Sequence, residues 1–193
     1  MTDHFYNYLK KLFPITEEEF EMISAVTIQK SLRKKKFLLQ EEDIWRNNAF
    51  VSKGLLRIYS IDDRGLEHIL GLSVENNWTG DIESYTSGMA SNLNIDALED
   101  SEILLISKDN FKDLLKKIPG LDTAMKKLFE ISFIESQNRI LSNISLSAEQ
   151  KYHNFTNTFP EISGRIPQHM IASYLGITAE TLSRIKTHNT IQK

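Results

Sequence analysis

The segment QHMIASYLGITAETLSRIK, residues 168–186, carries the side chains whose types and spacing best suit a recognition chemistry. Its apolar positions recur as they do on two packed helices: Ile171, Leu175, Ile177, Leu182 and Ile185. Ala172 stands where the helices would cross, and Gly176 stands in the turn between them, where a left-handed backbone is needed. Thr178 can cap the second helix and face a phosphate. This is the spacing of a DNA-binding helix-turn-helix, whose second helix enters the major groove.

The outer side of this predicted motif is polar and basic, and we predict that it faces DNA. The candidate contact residues are Gln168, His169, Thr178, Ala179, Glu180, Thr181, Ser183, Arg184 and Lys186. A plain helical hairpin would also need a small residue at the crossing and a glycine in the turn, so that alternative stays open. Residues 148–193 carry five basic and three acidic side chains, a balance of +2, against −5 for the remainder. A slightly basic module on an acidic body suits a local phosphate-contacting surface.

The sequence offers little support for a catalytic site. The five histidines are scattered, and neither an HExxH motif nor a glycine-rich phosphate loop is present. A metalloenzyme built on β-strands would need clustered His and Glu ligands, and the strand-like segments offer none. We therefore predict that the chain is not an enzyme, with no metal site and no cofactor.

Composition narrows the class of protein. The 193 residues are 40% hydrophobic and 25% charged with a net charge of −3, which is typical of a globular protein without a global basic field. The absence of cysteine excludes disulfides, thiolate zinc sites and cysteine-held iron–sulfur clusters. No apolar run approaches the ~20 residues of a membrane span, and the N-terminus lacks the features of a signal peptide. We expect a cytoplasmic protein that does not associate with membranes.

The N-terminal part of the chain is predicted to form short helices followed by β-strands. Apolar residues predict a first helix that ends at Pro14, and Thr16 with Glu19 has the spacing of a capping box that starts a second. From about residue 27 to residue 107, short β-rich runs alternate with turns, which predicts a sandwich or barrel. The run LLRIYSIDDRGLEHIL predicts a hairpin closed at Gly65. The basic run 33–36 either binds phosphate or is a solvated strand end.

From Lys108 onward, the sequence pattern again predicts helices. A short helix capped by Ser107 is predicted to end near Pro119-Gly120, and a longer helix covers residues 121–144. These 24 residues would span roughly 36 Å. One stripe of this helix is apolar: Leu121, Met125, Leu128, Ile131, Ile134, Leu141 and Ile144, with Phe129 and Phe133 to one side. Such a helix packs on its own domain, pairs with a second copy, or does both.

The chain resembles the Crp/Fnr family of bacterial transcription regulators over nearly its whole length. The carrying segments are TAETLSRI, similar to the family's recognition helix, FVSKGLLRIY with DDRG, similar to its central hairpin, and GDIESYTSG, similar to its ligand cassette. The resemblance implies an α+β fold in three parts. Residues 1–118 would form a cyclic-nucleotide-binding-like β-roll of the jelly-roll type, residues 119–146 a long dimerisation helix, and residues 147–193 a winged-helix-like helix-turn-helix domain.

In that family a glutamate and a later arginine of the recognition helix contact base edges. By the resemblance, Glu180 would accept from a cytosine amino group and Arg184 would donate to a guanine. Ala179 departs from the basic residue that the family often has at its position, which leaves the target sequence open. Only THNTIQK follows the recognition helix, so a wing would be short or missing.

The ligand cassette departs further from the family pattern. Cyclic-nucleotide binders begin it with Gly-Glu-Leu and grip the cyclic phosphate with an Arg-Ser pair ten residues after the glutamate. By the resemblance, the candidate effector pocket is Gly80, Asp81, Ile82, Ser91 and Asn92. Serine supplies neither the fixed charge nor the planar fork of arginine, and we predict that cyclic AMP does not bind well. A tight turn with Asp81 capping the next helix is an equally simple explanation of the first two residues.

Three interpretations of this pocket remain: a different small-molecule effector of unknown identity, no effector, or a cation shifted to Arg57 or Arg64. Haem ligation by His68 is a further option, although a lone strand histidine is more often structural. The long helix predicts a two-fold dimer that places two recognition helices roughly 34 Å apart on a pseudo-palindromic site in double-stranded DNA. RNA polymerase is an expected partner. The alternative function is a ligand-binding or protein-interaction module that retains a vestigial helix-turn-helix.

Overall fold

A computed structural model of the chain describes residues 2–191, and the side chains of residues 3–188. These residues form two compact units. One comprises residues 2–60 together with 70–129, and the other comprises residues 61–69 together with 130–191. The division cuts through one β-hairpin and one long helix, because residues 61–69 and 130–145 continue covalently from elements that begin in the first unit.

Seven of the eight strands and five of the helices begin in the first unit, and the fifth strand continues from the second unit into the first. The strands are β1 (Ile28–Leu32), β2 (Phe37–Leu39), β3 (Asn47–Lys53), β4 (Leu56–Ile61), β5 (Glu67–Ser73), β6 (Trp78–Thr79), β7 (Asn94–Ala97) and β8 (Ser101–Ser107). Two four-stranded sheets result, in the orders β1-β8-β3-β6 and β2-β7-β4-β5. The buried residues of one core come from both sheets, among them Val51, Leu56, Ile95 and Ile103. The jelly-roll-like β-roll expected from the sequence is confirmed.

A second core lies on the other face of the β1-β8-β3-β6 sheet. It contains α1 (Thr2–Leu12), α2 (Glu17–Ala25), α4 (Lys108–Lys117) and the start of α5 (Pro119–Ser145). Leu9 is fully buried, and the ring of Phe5 lies 4.8 Å from that of the strand residue Phe50. The capping box of Thr16 and Glu19 and the Ser107 cap of α4 are both present as predicted.

The long helix α5 has 27 residues and is longer than predicted. Pro119 and Gly120, which we expected to end α4 and separate it from the next helix, are instead the first two residues of α5. Proline is well suited to this position because its missing N–H group would have no partner there. A side chain at Gly120 would place its Cβ 2.6 Å from the Phe13 ring, so the α1 end packs directly against the helix backbone.

The second unit contains the rest of α5, then α6 (Ala148–Thr158), α7 (Gln168–Leu175) and α8 (Ala179–Ile191). Ser147 and Gln150, whose spacing in the sequence predicts a capping box, form one at the start of α6. The segment FPEISGRIP, whose turn residues predict a loop or short hairpin, forms a single 3₁₀ turn at Ile162–Gly164. The buried side chains of this small helical core are Phe155, Ile162, Ile166, Ile171, Ala172, Leu175 and Leu182.

The end of the chain is helical where we expected a wing to be short or missing. Helix α8 continues to Ile191, so most of the segment THNTIQK belongs to the helix itself, and residues 192 and 193 lie outside the described part. Through residue 191, no strand follows α7. None of the helices between residues 2 and 191 has both the length and the apolar character that a membrane span requires.

Candidate nucleic-acid interface

Helices α7 and α8 meet through a tight turn centred on Gly176. The glycine adopts a left-handed conformation with φ of 64°, and its N–H donates to the carbonyl groups of Ala172 and Ser173. The Ile177 N–H also donates to the Ala172 carbonyl, at 3.0 Å. Ala172 itself is 2% exposed. A larger residue there would separate the helices, and a residue with a side chain at position 176 would strain the backbone, so both small residues have the structural reasons that the sequence indicated.

The start of α8 is fixed by Thr178. Its hydroxyl accepts a hydrogen bond from the Thr181 backbone N–H at 3.2 Å, which is the geometry of an N-terminal cap. Thr178 is exposed, and so are Gln168 and His169 at the first turn of α7. Both helices therefore present the N-terminal ends that bind anions through free backbone N–H groups.

Helix α8 has one buried side and one exposed side. Leu182 is completely buried and Ile185 is half-buried, which anchors the helix to α6 and α7. Glu180 and Arg184 are both exposed and lie one helical turn apart on the outer side. The other predicted contact residues divide into the exposed Ala179 and Ser183 and the half-buried Thr181 and Lys186.

Local hydrogen bonds orient the two long side chains. Hydrogen bonds from the backbone N–H of Glu180 itself and from the Thr178 hydroxyl, with a smaller contribution from the Arg184 charge, hold the pKa of the Glu180 carboxyl below its usual value. One guanidinium nitrogen of Arg184 donates to the Thr181 hydroxyl at 3.4 Å. A charged acceptor and a charged donor thus stand beside each other on the surface of one helix, which is the pair of functions needed to contact a cytosine amino group and a guanine edge.

The candidate effector residues fall into two groups. Gly80, Asp81 and Ser91 lie close together, and the Asp81 carboxylate is buried among them. Ile82 and Asn92 are exposed to solvent. A Cβ at Gly80 would lie 2.4 Å from the Trp45 indole nitrogen, so only glycine fits at this position.

The Asp81 carboxylate is 5% exposed and is fully engaged within the fold. It accepts hydrogen bonds from the backbone N–H groups of Glu83 and Ser84 and thereby caps α3 (Ile82–Ser87). It also accepts from the Ser91 hydroxyl at 2.6 Å. The capping role that we considered for Asp81 is therefore present. A phosphate placed beside Ser91 would meet this carboxylate and not an arginine.

The two arginines proposed as shifted cations are both engaged elsewhere. Arg57 on β4 forms a bidentate ion pair with Asp96 on β7, with N–O distances of 2.8 and 2.9 Å, and its guanidinium lies 4.0 Å from the centre of the Tyr59 ring. Arg64 lies at the tip of the β4–β5 hairpin, where its side chain is 81% exposed and pairs with Asp62. His68, considered as a haem ligand, also contacts Asp62, at 3.1 Å. These partners argue against the shifted-cation alternative.

Two features of the structure were missed from the sequence. The Arg57–Asp96 pair joins residues that face each other across β4 and β7, and only the strand register, which the sequence did not reveal, places them together. Ser173 was not among the candidate residues, yet its hydroxyl forms hydrogen bonds with the β5 backbone. No local signal identifies such a contact, because the partners are 104 residues apart in the chain.

Comparison with known proteins agrees with this architecture. The cyclic nucleotide-binding domain family model matches residues 29–118. The regulatory protein HlyX of Actinobacillus pleuropneumoniae is 27% identical over 189 residues, covering 90% of this chain and 76% of that protein. The structure of FixK2 from Bradyrhizobium japonicum superposes with a TM-score of 0.71 at 21% identity, covering 86% of each chain. A structure from Eubacterium rectale, assigned to the Crp/Fnr family of transcriptional regulators, gives a TM-score of 0.69 at 20% identity and covers 94% and 88% of the two chains.

The chain combines a β-roll of the cyclic-nucleotide-binding type with a long helix and a helix-turn-helix. The chain thus contains a cyclic nucleotide-binding domain, and with the relatives named above it is similar to transcription regulators of the Crp/Fnr family. Its relatives are regulators and not enzymes, as the scattered histidines predicted.

Proposed function

We propose that the protein is a homodimeric transcription regulator that binds a pseudo-palindromic DNA site and does not respond to cyclic AMP. The observation that carries the proposal is the arrangement of α8. Glu180 and Arg184 are exposed one turn apart while Leu182 between them is fully buried. A helix held from behind in this way can enter a major groove with its acceptor and its donor directed at base edges.

The exposed apolar residues of α5 support the dimer. After the buried residues Leu121 and Ala124, the helix carries seven large hydrophobic side chains that are 42–80% exposed in the single chain: Phe129, Ile131, Phe133, Ile134, Ile140, Leu141 and Ile144. Exposed apolar surface of this extent on one helix is typical of a protein–protein contact. Two copies of α5 that pack across a two-fold axis bury part of this surface, and the same symmetry gives a site with two related half-sites.

The lack of a cyclic AMP response rests on the charges around Ser91. The cyclic phosphate needs a cation, and the serine hydroxyl instead contacts the buried Asp81 carboxylate and the backbone N–H and carbonyl of Leu93. Since the Arg57 guanidinium is paired with Asp96, it does not supply that charge. An anion at this position would lose its hydration without a compensating ion pair.

The cellular location and the partner that we propose both follow from the proposed activity. A regulator of this type acts where bacterial DNA is found, and we therefore place the protein in the cytoplasm with RNA polymerase as its partner. Both assignments depend on the DNA binding that the experiment below tests.

A mobility-shift assay with sheared genomic DNA, repeated at several salt concentrations with nonspecific competitor, tests the proposal. We expect a subset of fragments to be retained in excess competitor, with an affinity that falls steeply as salt rises because phosphate contacts release counterions. Retention of no fragment over competitor at low salt would contradict DNA regulation. It would favour the alternative of an interaction module with a vestigial helix-turn-helix.

A further inference from the structure

The tip of the β4–β5 hairpin is bonded to the first helix of the helix-turn-helix. Both belong to the second unit, in residues 61–69 and 130–191. The Ile69 backbone N–H donates to the Ser173 hydroxyl oxygen at 3.0 Å, and the Ser173 hydroxyl donates to the Glu67 carbonyl at 3.2 Å. Ile69 is only 5% exposed. One side chain of α7 thus binds two backbone groups of β5.

The two backbone groups are those that a neighbouring strand would normally take. Strand β5 is at the edge of the β2-β7-β4-β5 sheet, so one side of it has no strand partner. The carbonyl of Glu67 and the N–H of Ile69, two residues on, point to the same side of the strand. A serine hydroxyl can donate and accept at once, so Ser173 satisfies both groups. Alanine at this position would satisfy neither, whereas threonine would keep the hydroxyl.

The hairpin tip is itself ordered by local bonds. The Asp62 carboxylate accepts from the backbone N–H groups of Arg64 and Leu66, both at 2.9 Å, and contacts His68. Gly65 has a φ of 80° and donates its N–H to the Asp62 carbonyl. These bonds fix the turn, so the tip that Ser173 contacts has a defined shape before any ligand binds.

The residue after Ser173 holds α7 through a different contact. The Tyr174 ring lies 5.7 Å from the Phe155 ring of α6, and the Arg139 guanidinium of α5 lies 4.9 Å from the centre of the Tyr174 ring. Consecutive residues of α7 therefore contact three other elements: Ser173 binds β5 through its hydroxyl, and Tyr174 contacts α5 and α6 through its ring. Neither residue is among those predicted to contact DNA, so their contacts orient the helix pair and leave its outer side available.

We propose that Ser173 is a positioning residue for DNA binding: its bonds to the hairpin hold α7, and through the tight turn α8, in one orientation before DNA is met. This inference rests on the proposed function. The physical reason is preorganisation, since a helix pair that samples fewer orientations loses less entropy when it docks.

The test uses the full chain and four forms of it: wild type, Ser173→Ala, Ser173→Thr, and Ser163→Ala as a control. Ser163 belongs to the same unit, and its hydroxyl bonds only to the nearby Pro160 carbonyl at 3.5 Å among the contacts described. Two quantities are measured: amide hydrogen exchange at Ile69 in the free protein, and the dissociation constant for a selected DNA site at fixed salt.

We expect Ser173→Ala to speed exchange at Ile69 and to weaken DNA binding by about three- to tenfold, the range of one or two lost hydrogen bonds. The base preference and the salt dependence should not change, because no base or phosphate contact is removed. Ser173→Thr should restore both readings towards wild type, and Ser163→Ala should affect neither.

Unchanged or tighter DNA binding by Ser173→Ala would overturn the proposal. So would an Ile69 amide that is already unprotected in the wild type, which stays measurable even if the alanine variant fails to fold. Should the wild type retain no DNA specifically, the proposed function fails on its own, while protection at Ile69 still shows whether the hairpin contact exists.

Discussion

In the proposed function, DNA recognition depends on a few side chains of α8 that have partners before they meet DNA. The Arg184 guanidinium contacts the Thr181 hydroxyl, and the Glu180 carboxylate accepts hydrogen bonds at the first turn of α8. Because both side chains have local partners, less side-chain freedom is lost on binding than for two unattached surface residues. Specificity at the residue scale is thus a property of α8 and of the cap that begins it.

Replacement of Arg184 by alanine tests the assignment of base reading to this residue. We expect a loss of about 1–3 kcal/mol for the preferred site and a relaxed preference at one base pair of each half-site, as for the loss of a bidentate guanine contact. Selection from a randomised half-site library measures both effects. Lys151→Ala, which removes one positive charge from α6, should weaken binding without altering base preference. An unaltered preference in Arg184→Ala would show that another residue reads the site.

The hairpin tip carries a pH-dependent contact. The pKa of the Asp62 carboxyl is lowered to about 2, chiefly by the hydrogen bond from the Leu66 N–H and then by His68. A depressed pKa means that the turn is stabilised at all pH values above the ordinary Asp value of about 4 and loses this stabilisation as the pH falls towards 2.

The Leu66 amide proton shift, followed by NMR, reports this titration directly. We expect it to move with a midpoint near the lowered value and to lose its pH dependence in Asp62→Asn. A midpoint close to 4 in the wild type would mean that the bonds to the carboxylate do not form in solution.

Among the elements, the C-terminal half of α5 is the one that a single chain leaves uncovered. Ile134 and Leu141 lie seven residues apart on the same side of the helix, and they are 57% and 61% exposed. Ser132, also exposed, lies away from that side.

The double variant Ile134→Glu/Leu141→Glu should dissociate the dimer, because four like charges would face one another across the two-fold axis. Sedimentation equilibrium measures the change, and the dissociation constant should rise by at least about 100-fold, or roughly 3 kcal/mol. Ser132→Glu should leave the dimer intact. A wild type that is monomeric at all concentrations would refute the α5 interface.

Elements that begin or end on local signals were predictable from the sequence. Thr16 with Glu19, Ser147 with Gln150, and Gly176 all occur within a few residues of the groups they bind, so spacing alone identified them. The contacts that close the β-roll and hold α7 were not predictable in this way. Arg57 meets Asp96 only through strand register, and Ser173 meets β5 only through the folding of a unit whose two segments are far apart in the chain. The Pro119-Gly120 pair shows a third case, since the same residues suit the end of one helix and the start of the next.

On the scale of the whole molecule, we expect DNA to bind to the native protein and cyclic AMP not to bind. A ligand that binds only the native state at about 100 times its dissociation constant stabilises it by ~2.7 kcal/mol, which shifts the Tm by several degrees. We expect millimolar cyclic AMP to leave the Tm unchanged and a duplex with the selected site to raise it. A clear rise with cyclic AMP would contradict the role assigned to the Asp81–Ser91 contact.

Hydroxyl-radical footprinting on a selected fragment shows whether two copies of α8 enter one face of a DNA duplex. We expect two protected segments of equal size, related by a two-fold axis and separated by one helical turn, roughly 34 Å. Arg184→Ala should weaken the protection of both segments together. A single protected segment, or protection without symmetry, would show that two copies of α8 do not bind in this way.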